Sequence, residues 1–380
     1  MIFEKVKLSE VCKINSSKRI YLSEYVQKGI PFYRSKEIIE KSLKNQITTK
    51  LYISKDKFNE FKKKFGVPIK GDILITAVGT LGRSYLVKNE EFYFKDGNLI
   101  WFSDFNNKII NNIFLLYLIK TEKFQNMLDN ISIGSTQKAL TINSLKNIEI
   151  KIYTLENQTK IAHILSTLDA KIQLNNDMNN NLLKIQKKYF KNKFDERKDY
   201  TNICLKDVCE IFAGGDAPIE KSNNKTEKYT IPIISNGIAN EGVYGYTNTS
   251  KIKEKSVTIS ARGTIGYKVL RNYEYYPIVR LISIIPKEKN ITAEYIFYIL
   301  ENIKISGTGT TQQQLTIPMI KELKIKVHNK KLIDEFTNFS ICINKKIDQN
   351  KKENETLINL RDTLLPKLMN GEIDLDNLEL

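Results

Sequence analysis

The chain has little of the material from which catalytic and metal-binding sites are usually built. Its 380 residues include four cysteines, two histidines and one tryptophan. No two cysteines form a Cys-x-x-Cys pair, so the spacing of a zinc cage is absent. Because no disulfide framework is indicated either, we expect a reducing, cytoplasmic location. Cys12 and Cys209 occupy matching places in LSEVCKI and LKDVCEI, and both are predicted to be small buried apolar residues.

Motifs for nucleotide and cofactor chemistry are missing as well. Gly214-Gly215 and the segment GTGTTQ both lack the Gly-Lys-Ser/Thr of a phosphate-binding loop. No glycine-rich turn leads into a strand–helix–strand unit for a dinucleotide or S-adenosylmethionine. His163 and His328 lie in unrelated contexts, and carboxylates such as Asp72 are isolated turn residues, whereas a metal-dependent nuclease needs a cluster. We therefore expect no catalytic residue, metal ion or cofactor on this chain.

Long apolar runs and negative charge are also scarce. The longest apolar run, Ile113–Ile119, is too short to span a membrane, and MIFEKVKLSE has charges where a signal peptide needs an apolar core. Lys and Arg number 60 against 43 Asp and Glu, a formal net charge of +17. An A·T-rich genome enriches Lys, Ile and Asn, but it would enrich Glu too. The positive surplus therefore favours an anionic partner, and nucleic acid first.

What the sequence does have is an internal repeat, in which a long unit occurs twice. The second copy is shorter in its loops, mostly where the first has a Lys-rich segment at 41–66. When two copies share a structural framework but differ in their loops, the same fold can carry two specificities. The matching segments are IPFYRSKEI (Ile30–Ile38) with IPIISNGI (Ile231–Ile238), ILITAVGTLGRSYLV (Ile73–Val87) with VTISARGTIGYKVL (Val257–Leu270), and GSTQKALTI from Gly134 with GTTQQQLTI from Gly309.

Local patterns predict a mixture of strands and helices in each copy. Ile73–Val78 and Arg83–Val87 flank a glycine turn and are predicted to form a hairpin. The segment EFYFKDGNLIWF is predicted to form a second hairpin around Asp96-Gly97, a favoured turn dipeptide. Asn112–Leu128 is apolar and periodic enough for a helix.

Each copy ends in a long helical pattern with a heptad stripe of about 30 residues, or roughly 45 Å. Two such stripes in one chain predict an intramolecular antiparallel coiled coil, although each helix could instead pack on its own globular half. Asparagines in the middle of the seam would fix its alignment at a cost in stability. Pro366 and Gly371 are helix stop signals. The stripe consists of Ile161, Leu165, Leu168, Ile172, Asn175, Asn179, Leu182, Gln186 and Tyr189 in the first helix, and Phe336, Ser340, Ile343, Ile347, Asn350, Asn354, Leu357, Arg361 and Leu364 in the second.

These patterns together predict an α+β protein with an internal pseudo-twofold repeat. Two mixed domains, at 1–155 and 199–328, are expected to be separated by two long helices, at 156–198 and 329–380, which pair as an antiparallel coiled coil. Many Tyr and Phe residues alternate with aliphatic ones and are predicted to be core, which argues against a single-stranded RNA binder with aromatics exposed on a sheet face.

Basic and amide side chains in loops beside the β-rich segments are the candidate DNA contacts. Arginine reads guanine with two hydrogen bonds, Asn and Gln read adenine, and lysines of the 41–66 segment would contact phosphates. Each candidate could instead be a solvated loop residue, and Gln137 and Gln312 could make a structural hydrogen bond at the entry to the helix. The candidates are Arg34, Lys36, Arg83, Gln137, Lys138, Asn236, Arg262, Gln312 and Gln313.

With these segments, and most specifically with the ending NLRDTLLPKLMNGEI (Asn359–Ile373), the chain resembles the specificity subunit of type I restriction–modification enzymes. The resemblance covers essentially the whole chain. It implies that each variable half is a target recognition domain that reads one half of a split double-stranded DNA site. It also implies that the paired helices act as a molecular ruler and dock the methyltransferase subunits, which endonuclease/translocase subunits join. The symmetry of the paired helices predicts two equivalent docking faces, and so two methyltransferase subunits per chain.

That resemblance assigns the chemistry to the partners. S-adenosylmethionine, ATP and Mg²⁺ are expected on the methyltransferase and translocase subunits, and this chain is expected to be non-catalytic. An alternative from another class is a basic coiled-coil adaptor that binds nucleic acid without sequence specificity. Only sequence-specific recognition predicts a large ratio of specific to non-specific DNA affinity.

Overall fold

The structure is a computed structural model that describes residues 3–43, 47–134, 138–288, 290–305, 307 and 314–375. The chain forms two compact units. The first unit is Met1–Leu174 with Glu353–Leu380, and the second is Asn175–Lys352. Each unit therefore combines a mixed αβ domain with part of each of two long helices.

The first unit alternates short strands and helices. Its elements are β1 (Glu4–Lys7), α1 (Leu8–Val11), β2 (Lys13–Asn15), β3 (Tyr25–Val26), β4 (Ile30–Tyr33), α2 (Ser35–Ser42), β5 (Tyr52–Ile53), α3 (Lys55–Phe65), β6 (Ile73–Thr76), β7 (Ser84–Leu86), β8 (Tyr93–Phe94), β9 (Leu99–Ser103), α4 (Asn112–Lys120), α5 (Glu122–Ile131), α6 (Ile142–Lys146) and β10 (Glu149–Ile152), followed by the long helix α7 (Leu155–Phe194).

The second unit repeats this series with fewer elements. They are β11 (Tyr200–Cys204), α8 (Leu205–Val208), β12 (Cys209–Ala213), β13 (Ile231–Ile234), β14 (Val243–Thr247), β15 (Ser256–Ile259), β16 (Lys268–Arg271), β17 (Tyr276–Pro277), β18 (Ile282–Pro286), α9 (Ala293–Glu301), α10 (Ile317–Lys321) and β19 (Lys324–His328), followed by the long helix α11 (Lys330–Asn370).

Sheet topology shows that the two units share one frame. The first unit has an antiparallel sheet in the order β2-β9-β6-β7, and the second has the order β12-β18-β15-β16. In both, a two-stranded sheet joins the first strand to the last, β1 with β10 and β11 with β19. In both, a further sheet contains one parallel pair, β4 with β8 and β13 with β17. This confirms the internal repeat that the sequence predicts.

The hairpin expected around Gly79–Gly82 is confirmed, because β6 pairs antiparallel with β7. The hairpin expected around Asp96-Gly97 is wrong. Strand β8 pairs in parallel with β4, whereas β9 pairs with β2 and β6. The chain thus passes from one sheet to another at this turn. A strand pattern predicts the strand but not its partner, which is chosen by residues far away in the sequence.

Helix boundaries differ in two further places. The helix expected over Asn112–Leu128 is split into α4 and α5, because the Thr121 side chain caps the second helix by accepting a hydrogen bond from the Phe124 amide. Pro366 lies inside α11 and does not end it. The helix stops at Gly371, whose φ of +76° is left-handed and suits glycine.

The two long helices pair antiparallel, as their heptad stripes predict. In the second unit, Asn350 Nδ2 donates to Asn179 Oδ1 at 2.7 Å, and Gln186 contacts Ser340. In the first unit, Asp169 pairs with Arg361 at 2.7 Å, and Lys171 with Glu353 at 3.3 Å. Residue numbers rise along one helix as they fall along the other, which defines the direction of the pairing.

The helices also pack on their own domains, so both arrangements considered for the stripe occur. In the first unit, Ile161, Leu165 and Leu368 belong to one core with residues of β6, β9 and α4. In the second unit, Phe190 and Phe336 share a core with Tyr295 of α9. The cysteines expected to be buried are buried, and burial raises the pKa of the Cys12 and Cys209 thiols to about 12. In the part of the chain that the structure describes, no helix is both long and apolar enough to cross a membrane.

Candidate nucleic-acid interface

Two turns that carry arginine occupy equivalent places in the two units. The Arg83 turn (residues 77–83) joins β6 to β7, and the Arg262 turn (residues 260–267) joins β15 to β16. In the first unit, the Leu140 amide donates to the Ala77 carbonyl at 2.8 Å. In the second, the Leu315 amide donates to the Ala261 carbonyl at 3.0 Å. Each turn therefore lies against the repeated segment that precedes α6 or α10.

The Arg83 turn is held by its backbone and leaves its arginine side chain exposed. The Thr76 hydroxyl accepts a hydrogen bond from the Arg83 amide at 3.0 Å, and Gly79 and Gly82 adopt left-handed φ values. The Arg83 side chain makes no hydrogen bond or ion pair to any residue that the structure describes. Lys138 lies beside the turn, because its carbonyl accepts from the Gly79 amide at 3.2 Å, and its ammonium pairs with Asp129 at 3.2 Å.

Arg34 is engaged inside the protein. It precedes α2, and its guanidinium donates to the buried Glu37 carboxylate at 2.7 and 3.2 Å. Burial raises the pKa of Glu37, but the hydrogen bonds and positive charge of Arg34, with a backbone hydrogen bond at Glu37 itself, lower it below its ordinary value. The carboxyl therefore stays ionised and holds the arginine. The neighbouring Lys36 is exposed and donates to the Thr49 hydroxyl at 3.0 Å.

The Lys-rich 41–66 segment is not only a loop. It contains helix α3, whose Phe58 and Phe61 are buried. Much of its positive charge is neutralised by exposed or half-exposed ion pairs, each worth little by itself. These pairs are Lys41 with Glu90, Lys57 with Glu24, Lys62 with Glu91, and Lys64 with Glu60.

In the second unit, Asn236 connects two loops. Its Oδ1 accepts from the Ala261 amide at 2.7 Å, and its Nδ2 donates to the Val279 carbonyl at 2.7 Å. The side-chain amide is thus engaged by the backbone on both sides. Arg262 is exposed and donates to the Gln314 side chain at 3.3 Å.

Gln137, Gln312 and Gln313 lie outside the described residues. One exposed arginine, Arg280, was missed by sequence reasoning. Its turn between β17 and β18 is equivalent to the Asp96-Gly97 turn between β8 and β9 by element order, and the two turns share no sequence motif. Across the described ranges, no group of three or more His, Cys, Asp or Glu side chains could hold a metal ion.

The predicted seam positions lie on the buried side of the two helices. Among the eight positions nearest the middle of the seam, Leu168 and Ile343 are half-buried. The other six are buried: Ile172, Asn175, Asn179, Ile347, Asn350 and Asn354. Asn350 contacts Asn179, so this pair, together with Gln186 and Ser340, is a polar contact that can define the alignment of the helices in the second unit.

Replacing both Asn179 and Asn350 with Leu is expected to raise the free energy of unfolding by about 1–2 kcal/mol, because an apolar pair of similar size avoids burying polar groups. The alignment should then loosen. Cysteines introduced at 186 and 340 should crosslink efficiently in the wild-type background, and the Leu pair should also crosslink 186 to 347, one heptad away. The exposed Asn180→Leu is the matched control and should change neither quantity. A single crosslink position in the Leu pair would contradict the alignment role.

Similar proteins were found both by sequence and by structure. Residues 2–184 and 197–353 match the model of the type I restriction modification DNA specificity domain. A putative type I specificity subunit of Mycoplasma pneumoniae is 33% identical over 269 residues, which are 65% of this chain and 71% of that protein. The MjaIX type I restriction enzyme specificity subunit of Methanocaldococcus jannaschii is 27% identical over 350 residues, 81% of this chain and 79% of that protein.

A solved structure shares the fold. The crystal structure of the type I restriction-modification system S subunit from M. genitalium superposes with a TM-score of 0.64 at 17% identity, covering 97% of this chain and 96% of that one.

Proposed function

Because the chain belongs to the type I restriction–modification specificity-subunit family, in which it is a non-catalytic component, we propose that it binds a bipartite, asymmetric DNA site and docks the catalytic subunits on its paired helices. The target recognition domains are residues 1–155 and 199–328, and the helical spacers are 156–198 and 329–380. The protein acts in the cytoplasm, where its DNA lies.

The observation that carries this proposal is one frame built twice with different loops. The sheet β2-β9-β6-β7 of the first unit and the sheet β12-β18-β15-β16 of the second have equivalent strand orders. The side chains on the equivalent turns differ, since Arg83 is accompanied by Lys138 and Arg262 by Gln314. Two such domains read two different half-sites, which makes the complete site asymmetric.

Partner docking is supported by apolar side chains that the long helices leave exposed. Several large apolar side chains left exposed on the same helices are candidates for a protein interface. Because both units contribute, we propose two methyltransferase subunits per chain, with endonuclease/translocase subunits joining them. These side chains are Leu174, Met178, Leu183 and Ile185 on α7, and Ile341, Ile358 and Leu360 on α11.

The test is to express the chain with its methyltransferase partner in a host without other DNA methylation and to map the methylated bases. We expect one motif with two different half-sites, separated by a spacer of fixed length and free sequence. A purified complex should bind this site about 10³-fold or more tightly than random DNA. An adaptor without sequence specificity predicts no motif and an affinity ratio near one.

A further inference from the structure

We propose that Arg280 is a base-reading residue of the second recognition domain, presented to DNA by the strained turn Ile278–Leu281. This inference rests on the proposed function and names a residue that carries part of it. The base it would read is a guanine in the half-site of that domain, through O6 and N7 in the major groove.

The turn adopts a backbone that its residues disfavour. The Leu281 amide donates to the Ile278 carbonyl at 3.0 Å, which closes a tight turn between β17 and β18. Val279 has φ of +54° and Arg280 has φ of +59°. Left-handed values at both central residues favour Asn and Gly, and a β-branched residue there is strained.

The first unit solves the same connection with ordinary turn chemistry. Between β8 and β9 it has Asp96-Gly97, and the left-handed position, φ +70°, is a glycine. Strain of this kind persists at functional sites, where surrounding structure over-determines the conformation. The second unit thus keeps two unfavourable residues in a turn for which better residues exist.

The surrounding structure holds the turn firmly. The Val279 and Arg280 amides donate to the carbonyls of Gly215 and Gly214 at 2.8 Å each, and the Gly214 amide donates to the Leu281 carbonyl at 2.8 Å. A Cβ at Gly214 would lie 2.6 Å from the Ile278 nitrogen, so only glycine permits this approach. The Gly214-Gly215 pair, which lacks a phosphate-binding motif, therefore serves to clamp the turn.

Asn236 places this turn in register with the Arg262 turn. Its side-chain amide bonds to the Val279 carbonyl and to the Ala261 amide, both at 2.7 Å. One group thus fixes the backbone beside both arginines, Arg262 and Arg280, and Asn236 is a positioning residue. Its side-chain amide therefore orders the two loops, whereas the sequence alone suggested that it contacts a base.

The clamped turn holds out its side chains to solvent. Arg280 is exposed and makes no side-chain hydrogen bond or ion pair to any described residue, and Val279 is 49% exposed. The Lys251 ammonium lies 3.8 Å from where a Cβ would stand on Gly215, which adds positive charge beside the turn. The fixed backbone presents the guanidinium at a defined place, and its planar fork matches the two acceptors of guanine.

The experiment compares Arg280→Lys and the double variant Val279→Asn/Arg280→Gly with the wild type, each as the full chain with its methyltransferase partner. Arg280→Lys keeps the charge but loses the paired hydrogen bonds. It should reduce the preference for the cognate over the mismatched base about tenfold or more at one position, with non-specific affinity little changed. The double variant should lose the same preference and melt a few degrees higher, since the turn strain is relieved.

The two-part DNA site supplies an internal control. The half-site read by the first domain should be unchanged in the map of methylated bases for every variant. Lys324→Gln, on β19 in the separate two-stranded sheet, is the matched surface control and should leave the whole motif intact.

The outcomes are distinguishable. A wild-type complex without a two-part motif contradicts the proposed function and this inference with it. A two-part wild-type motif that neither Arg280 variant alters contradicts only the role of Arg280. The double variant could instead lose affinity equally for cognate and random DNA while Arg280→Lys keeps the wild-type affinity for both. That result would make Arg280 a phosphate contact and overturn base reading.

Discussion

Inserting one heptad into each long helix is expected to lengthen the spacer of the methylated DNA site by about three base pairs. Seven helical residues add about 10 Å, and each base pair adds about 3.4 Å along B-DNA. A heptad preserves the phase of the seam, so the paired helices should stay paired. The insertions belong around Asn179 in α7 and Asn350 in α11, which face each other, so that the added turns also face each other.

The readout is the methylated motif in cells that express the chain with its partner. Both half-sites should be retained while the spacer grows, although the rate of methylation should fall, because three base pairs also rotate the second half-site about the DNA axis. A heptad inserted into α7 alone is the control and should prevent normal pairing. An assembled, active complex with the original spacer length would contradict the ruler.

Asp169→Ala is expected to lower the free energy of unfolding of the first unit by about 2–3 kcal/mol. The Asp169 carboxylate accepts from Arg361 Nη1 at 2.7 Å and from the Tyr117 hydroxyl at 2.7 Å. It thereby joins α7, α11 and α4. Its removal leaves a partly buried guanidinium and a buried hydroxyl without this acceptor, which costs more than the loss of an exposed ion pair.

The matched control is Asp362→Ala, because Asp362 also binds Arg361, at 2.7 Å, but is 59% exposed. That variant should cost about 0.5 kcal/mol or less. Urea unfolding followed by tryptophan fluorescence is specific to the first unit, since the single tryptophan is Trp101. Equal destabilisation by the two variants would show that the network joining the three helices adds nothing beyond a surface pair.

The same network has a pH dependence of known sign. Burial raises the pKa of Asp169, but the hydrogen bonds from Arg361 and Tyr117, together with the charges of Lys120 and Arg361, lower it below its ordinary value. A depressed carboxyl pKa stabilises the fold above the unfolded-state value of about 3.9, and this contribution is lost as the pH falls through the folded value. The stability difference between wild type and Asp169→Asn should therefore shrink below about pH 4.

Heptad spacing was readable from the sequence because it is a property of neighbouring residues, and the repeat because two segments of one chain can be compared directly. A seam residue such as Ile172 is identified by its spacing from Leu165 and Leu168, and burial follows from that periodicity. The hairpin at Asp96-Gly97 was predicted wrongly for the opposite reason. A favourable turn dipeptide fixes a local reversal, but the partner of β8 is β4, about 60 residues earlier in the chain.

The candidate DNA contacts were likewise predictable from the sequence only in part. Sequence reasoning found exposed Arg83 and Arg262 through their repeated turn, but it could not show that Arg34 is held by Glu37 or that the Asn236 amide is engaged on both sides. It also missed Arg280, because its left-handed backbone carries no sequence signal when the residues are Val and Arg.

The sequence by itself determined that this protein is basic, that it is one unit made twice, and that each copy ends in a long helix with a heptad stripe. Composition and periodicity can be read directly from the order of the residues, without knowledge of the tertiary structure. Only the tertiary structure decided which strands are neighbours and which arginines remain exposed. Those outcomes depend on hydrogen bonds between residues distant in the chain and on backbone dihedral angles that side-chain patterns do not encode.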